Sequence, residues 1–216
     1  MNKKYKLLIF DMDGTILDTS KDLTLAVNYM RKYYELPKLS IQEVLKNLGY
    51  GIEYLVKNSL KDAANINVTS AKEVFREYYE IHSLDNTRPY KGIIKLIKKL
   101  KKRGFSLAIN SNKPDNLVKE LNDHLFKGLF DFAIGESPLY QKKPSPASNN
   151  FILNHFNLDK ADALYIGDSE VDFETARKSK IDVMLVTWGF RTPNLLISLE
   201  PDYIIEKPNN FFKYIV

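Results

Sequence analysis

Leu7-Leu8-Ile9-Phe10-Asp11-Met12-Asp13-Gly14-Thr15 is the stretch whose reading decides the fold. Four consecutive apolar residues read as a strand buried on both faces, the mark of a parallel sheet. Two aspartates stand at the end of the run, followed by a glycine and a hydroxyl residue. The pattern predicts polar chemistry at the C-terminal end of a strand, the edge where open α/β sheets collect their ligands.

Working outward, the alternation of strand and helix is absent from Leu17 to about Leu84, and helical spacing takes over. Leu23, Val27, Met30 and Tyr34 lie on one helical face. Ser40 with Glu43, and Ser70 with Glu73, read as capping boxes that open two further helices. After Pro89 the alternation resumes. A helix over 93–102 closed by Gly104 is followed by a strand over 105–109, a helix over 114–121 and a short strand over 132–134. A helix over 147–155 and strands over 164–166 and 183–186 complete it. The expected fold is therefore α/β: a Rossmann-like, doubly wound parallel sheet interrupted early by an all-helical insertion. The expected division is a core of residues 1–17 and 88–216 and a helical cap of residues 18–87.

Composition narrows the functional classes. The 216 residues are 44% hydrophobic and 27% charged, as in globular proteins. The net charge is +5, and the clearest basic cluster, Lys98 to Arg103, falls in an amphipathic pattern. A lysine-rich solvated surface is expected, with no nucleic-acid partner. No apolar run approaches the roughly 20 residues of a membrane span. The basic start, Met1 to Tyr5, precedes an apolar run too short for a signal peptide. With no cysteine, disulfides and thiolate metal sites are excluded, and a cytoplasmic location is the default. A monomer is the default state and a homodimer the alternative.

Polar groups recur near predicted strand ends: Asp11 and Asp13, Ser111, Lys143, and Asp168 with Asp172. Ends of parallel strands converge on one edge, so these groups are expected to meet. Carboxylates held together raise one another's pKa unless a hard cation such as Mg²⁺ neutralises them, with Lys143 compensating what remains. Such a set suits phosphoryl transfer, with a carboxylate nucleophile and a second carboxylate as acid and base. Gly14 is expected to let backbone N–H groups approach phosphate, and the hydroxyls of Thr15 and Ser111 to donate to it.

Asp11-Met12-Asp13-Gly14-Thr15, Ser111-Asn112-Lys113, Lys143-Pro144-Ser145-Pro146 and Gly167-Asp168-Ser169-Glu170-Val171-Asp172 resemble, in order and spacing, the four motifs of the haloacid dehalogenase-like (HAD) hydrolase superfamily. The nearest-looking branch is the phosphoglycolate phosphatase-like group, which shares a Trp188-Gly189-Phe190 type of segment. The resemblance implies Mg²⁺-dependent hydrolysis of a small phosphorylated metabolite through an aspartyl-phosphate. It makes Asp11 the nucleophile and a metal ligand, and Asp13 the acid and base, its carbonyl also ligating metal. Ser111 binds phosphate in this reading, and Lys143 holds nucleophile and phosphoryl oxygens. Asp168 completes the metal shell, with Asp172 as an outer or water-mediated ligand. Gly14, Thr15 and Asn112 are expected to contact substrate. The resemblance also assigns substrate choice to a cap loop, for which Tyr50 and Lys57, in and after Asn47-Leu48-Gly49-Tyr50-Gly51, are the candidates. Asp13 separates this chain from the dehalogenase and phosphonatase branches, which lack that aspartate. The sugar phosphomutases, which carry a histidine where this chain has Leu23, are an alternative, as are pyrophosphatases and nucleotidases.

Overall fold

The computed structural model describes residues 5–215; the basic start at 1–4 and Val216 lie outside the described residues. Two compact units make up the chain. One takes the chain up to Leu17 and again from Pro89, and the other runs Asp18–Arg88.

In the first unit, β1 (Leu7–Phe10) forms at the apolar run that opens the sequence. The chain leaves through β2 (Leu17–Asp18) and returns through β3 (Arg88–Pro89). The helices of the intervening unit are α1 (Ser20–Tyr33), α2 (Ile41–Leu45), α3 (Ile52–Asn58) and α4 (Val68–His82). Then follow α5 (Ile93–Lys102), β4 (Ser106–Pro114), α6 (Asp115–Leu125), β5 (Phe132–Glu136), α7 (Ala147–Phe156) and β6 (Ala163–Gly167). The chain ends with α8 (Glu170–Ser179), β7 (Asp182–Val186), α9 (Pro193–Ser198) and β8 (Tyr203–Ile205).

Six strands pair in the order β5-β4-β1-β6-β7-β8, and all five pairings are parallel. This is the doubly wound α/β sheet that the alternation predicted. β1 is central, in register with β4 on one side (Phe10 opposite Ile109) and β6 on the other (Phe10 opposite Ile166). Its four residues are all buried, and their alternation divides them between the faces. Leu7 and Ile9 join Ile152 and Leu153 of α7, Ala176 of α8 and Leu196 of α9 in one core. Phe10 meets Phe130 edge-on at 5.8 Å and stacks on Phe211 at 6.5 Å.

Two differences from the expected elements bear on the site. β4 runs five residues beyond the predicted end, through Asn-Ser-Asn-Lys-Pro, a polar tract that does not read as a strand. Its pairing with β5 shifts register between Asn110 and Pro114, so Ser111 to Lys113 lie in a local irregularity at the sheet's edge rather than in a loop. β8, a three-residue strand behind Pro201, was not predicted because so short a run carries no periodicity.

In the helical unit, Leu23, Ala26, Val27 and Met30 of α1 are buried, as are Ala71, Phe75 and Tyr79 of α4. The Ser40–Glu43 capping box is present, with both reciprocal bonds made. The Ser70–Glu73 box is not. α4 starts three residues earlier, at Val68, because Asn67 caps it by accepting the Ser70 N–H at 3.1 Å. Asparagine caps as well as serine, and it preempts the later start. Arg31 is fully buried, donating to the Pro37 and Ser59 carbonyls and bidentately to Asp62 at 2.9 and 2.7 Å. The loop around Tyr50 turns at Gly49 (φ 105°) and Gly51 (φ 89°), with Tyr50 packed on Tyr54 at 4.8 Å. Among the described residues, no helix is long and apolar enough to cross a membrane.

Candidate active site

At the C-terminal ends of β1 and β6 the backbone ladder delivers the acids. The Asp11 N–H donates to the Ile166 carbonyl at 2.8 Å, which carries the β1–β6 pairing one residue past the strand and fixes where the Asp11 side chain emerges. The ammonium of Lys143 reaches the same point. It donates to Asp11 Oδ1 at 2.8 Å, Asp172 Oδ1 at 2.8 Å and the Tyr165 hydroxyl at 3.0 Å. Those three acceptors match the three donors of an ammonium. Lys143 is held from behind by Asn112, whose carboxamide accepts the Lys143 N–H and donates to the Lys143 carbonyl, both at 2.9 Å. Asn112 was expected to touch substrate. Its side chain is instead engaged in tying the lysine's backbone to β4.

Asp172 is completely buried. Besides Lys143 and Tyr165, it accepts at Oδ2 from the Ser169 hydroxyl at 2.6 Å and from the N–H groups of Asp168 and Ser169 at 3.2 Å. It also closes a capping box with Ser169 at the start of α8. With both oxygens so engaged, it orients Lys143 and the β6–α8 turn.

Asp168 is cradled closely. Its Oδ1 accepts from the Thr15 hydroxyl at 3.1 Å, and its Oδ2 from the Phe190 N–H at 2.7 Å. A Cβ on Gly14 or on Gly189 would collide with this carboxylate, and Gly14 has φ +86° besides. Thr15 and Gly14 were expected to face phosphate. The Thr15 hydroxyl is directed to Asp168, and the Gly14 N–H closes a turn onto the Leu17 carbonyl at 2.8 Å. The Trp188 indole N–H donates to the Thr15 carbonyl at 3.0 Å, fastening the loop after β7 to this turn.

Asp13 and Lys113 form the site's outer row. The Lys113 ammonium, with its side chain only 2% exposed, lies 3.2 Å from Asp13 Oδ2. Asp13 Oδ1 is buried with no hydrogen-bond partner. The Ser111 hydroxyl oxygen accepts the Lys113 N–H at 3.3 Å, which leaves the hydroxyl's own proton to donate. Lys113 was given no role from the sequence, although it stands inside the second motif. Arg191 is nearly buried and grips Glu170 bidentately at 2.7 and 2.9 Å. Tyr50 and Lys57, the remaining sequence candidates, belong to the helical unit.

Burial pushes the Asp11 carboxyl well above the carboxylate range, against the pull of Lys143. Burial and then Asp172 raise Asp168 to about 7. Burial alone would lower the Lys143 ammonium, but Asp11 and Asp172 overcome it and hold the group charged. Asp11, Asp168 and Asp172 each place an oxygen within 4.8 Å of the others, and all three are buried. The donor set is oxygen only and carries more negative charge than Lys143 offsets. That is the chemistry of a hard divalent cation, whose positive charge would offset the repulsion among the three acids.

The haloacid dehalogenase-like hydrolase family model matches residues 8–186. A phosphoglycolate phosphatase of Aquifex aeolicus is 32% identical over 209 residues, covering 96% of this chain and 95% of that protein. Phosphoglycolate phosphatase 1 of Pseudomonas aeruginosa is 31% identical over 209 residues, covering 93% and 76%. Among solved structures, a Lactobacillus delbrueckii subsp. bulgaricus protein, provisionally assigned as a phosphoglycolate phosphatase, superimposes with a TM-score of 0.93 at 34% identity. The match covers 99% of each chain. The chain belongs to the haloacid dehalogenase-like hydrolase family. Within that family, its relatives define the enzyme class as that of a phosphatase.

Proposed function

We propose that this enzyme hydrolyses a small phosphorylated metabolite of the phosphoglycolate or sugar phosphate kind, through an aspartyl-phosphate on Asp11. The observation that carries the reading is the ammonium of Lys143 held 2.8 Å from Asp11 Oδ1 beside a ring of buried carboxylates. A carboxylate so placed is aimed, and the cation beside it favours its ionised form and suits phosphoryl oxygens.

In this mechanism Asp11 attacks phosphorus, forming the acyl phosphate as the ester P–O bond breaks. Asp13 gives a proton to the departing alkoxide, then takes one from the water that attacks the acyl phosphate and releases inorganic phosphate. The Ser111 hydroxyl and Lys143 donate to the phosphoryl oxygens. Asn112 and Asp172 hold Lys143 in place, and Thr15 and Phe190 orient Asp168. Asp11, the Asp13 carbonyl and Asp168, with Asp172 behind them, are the residues that would hold Mg²⁺, which when bound neutralises charge on the transferring group. The helical unit serves as the cap, with Tyr50 as its candidate for substrate choice.

The test is phosphate release from 2-phosphoglycolate and a panel of sugar phosphates. Asp11→Asn should abolish it, EDTA should silence the wild type and added Mg²⁺ should restore it. Wild-type turnover by Asp11→Asn would remove the nucleophile assignment.

A further inference from the structure

We propose that Tyr165 is a positioning residue for the phosphoryl transfer, its hydroxyl fixing the Lys143 ammonium at the angle from which it meets the transferring group. The inference rests on the phosphatase reading above and adds to it a residue that acts only through Lys143.

Tyr165 stands in β6, in register with Ile9 of β1 and, across it, with Ala108 of β4. The three share a face of the sheet and one core cluster. Tyr165 is completely buried, and a phenol so placed needs polar partners for its oxygen. It has three. The oxygen accepts from Lys143 Nζ at 3.0 Å, and its own proton is directed at Asp172 Oδ1, 3.2 Å away, and at the Asn110 carbonyl, 3.3 Å away. Asn110 immediately precedes Ser111. One hydroxyl thus touches the ammonium and the backbone behind Ser111, the two donors to the phosphoryl oxygens in the mechanism above.

The lysine's other two acceptors are the carboxylates of Asp11 and Asp172, each at 2.8 Å. Two contacts leave an ammonium on a flexible four-carbon stem free to turn about the line between them. A third contact removes that freedom. A third carboxylate would do so while adding negative charge to acids whose oxygens already lie within 4.8 Å of one another. A neutral hydroxyl sets the angle without that charge. Aim counts because a preorganised donor stabilises the transferring group only where charge develops. The mechanism gives Tyr165 no proton to move and no contact with substrate, so its hydroxyl acts on turnover through Lys143 alone.

The experiment is a double-mutant cycle read as steady-state phosphate release, at saturating Mg²⁺, from the ester that the wild type turns over fastest. Tyr165→Phe removes the oxygen and keeps the ring. Losing a hydrogen bond to a charged group corresponds to roughly 10–100-fold, so kcat should fall at least about tenfold while KM stays within a factor of about two. In Lys143→Met the hydroxyl has no ammonium to hold, and adding Tyr165→Phe to that variant should slow it no further. A kcat of Tyr165→Phe within about twofold of wild type, or losses that multiply in the double variant, would overturn the inference and leave the phosphatase reading intact. Unfolding of Tyr165→Phe, seen by circular dichroism, would overturn it too, by making the hydroxyl a support of the fold instead of the lysine. If the wild type released phosphate from no ester of a broad panel, the phosphatase reading would fail and the role of Tyr165 with it.

Discussion

The ammonium of Lys143 lies 2.8 Å from Asp11 Oδ1, joining residues 132 positions apart in the chain, and the same ammonium stands 2.8 Å from Asp172. Replacing it with the neutral, similarly shaped Lys143→Met leaves two buried carboxylates facing each other. Turnover should fall by about 10²–10³, the range for losing one preorganised charge-stabilising donor. Steady-state phosphate release checks this; a loss of less than tenfold would argue that the lysine does not act on the transferring group.

Gly189 and Gly14 both lie against the Asp168 carboxylate. Gly189→Ala inserts a methyl into space that the carboxylate occupies, and should weaken Mg²⁺ activation by at least tenfold while secondary structure is retained. At Gly14 the strain of a positive φ adds about 1–3 kcal/mol to that collision, so Gly14→Ala should also lower Tm. Titrating activity against Mg²⁺, together with thermal melts, separates the two effects.

Asp168 is raised to about 7 from an ordinary 3.8. Its folded-state affinity for protons therefore exceeds its unfolded one. Between pH 4 and 7 the unfolded chain gives up this proton first, so in the metal-free protein the group detracts increasingly from stability as pH rises. Asp168→Asn removes that penalty. In EDTA the variant should be more stable than wild type at pH 8, by about 2–4 kcal/mol, and the difference should shrink towards pH 4. Denaturant unfolding at the two pH values decides, and a gap independent of pH would contradict the assignment.

In the helical unit, Arg31 is buried while its partner Asp62 is half exposed. Arg31 holds the Asp62 carboxyl down at about 2, chiefly through their hydrogen bonds. The stability this pair contributes is fully present above pH 4 and is lost as pH falls towards 2. Arg31→Met leaves the Pro37 and Ser59 carbonyls without their donor and should destabilise by about 2–4 kcal/mol. It should also remove the acid-side pH dependence that Asp62 confers. Chemical denaturation at pH 7 and pH 3 measures both.

The sequence was most legible where chemistry interrupts an apolar run. Leu7 to Phe10 followed by Asp11 announces a buried strand with an acid at its tip, and the later alternation of strands and helices leads to the doubly wound sheet. Less legible were groups whose partners lie far along the chain. Thr15 and Gly14 read as phosphate contacts because nothing local shows that Asp168 closes on them from more than 150 residues away. Asn112 looked like a substrate ligand because its partner, the backbone of Lys143, has no side-chain signature. Lys113 was passed over because one lysine in a basic chain carries no signal until Asp13 is seen beside it. The start of α4 was misread because Asn67 and Ser70 are both good caps, and sequence alone does not rank them.

The central position of β1 has a consequence for how the chain is made. The strand emerges first, yet both of its neighbours arrive late, β4 at Ser106 and β6 at Ala163. At about 5–20 residues per second, β6 follows β1 by roughly 10–30 s. During translation the four apolar residues of β1, and the aspartate behind them, therefore wait without a sheet to join. The intervening helical unit draws its core from its own residues and can fold meanwhile. A ribosome stalled before residue 106 would carry folded helices and an unpaired β1, a nascent chain that chaperones which bind extended apolar segments are suited to hold.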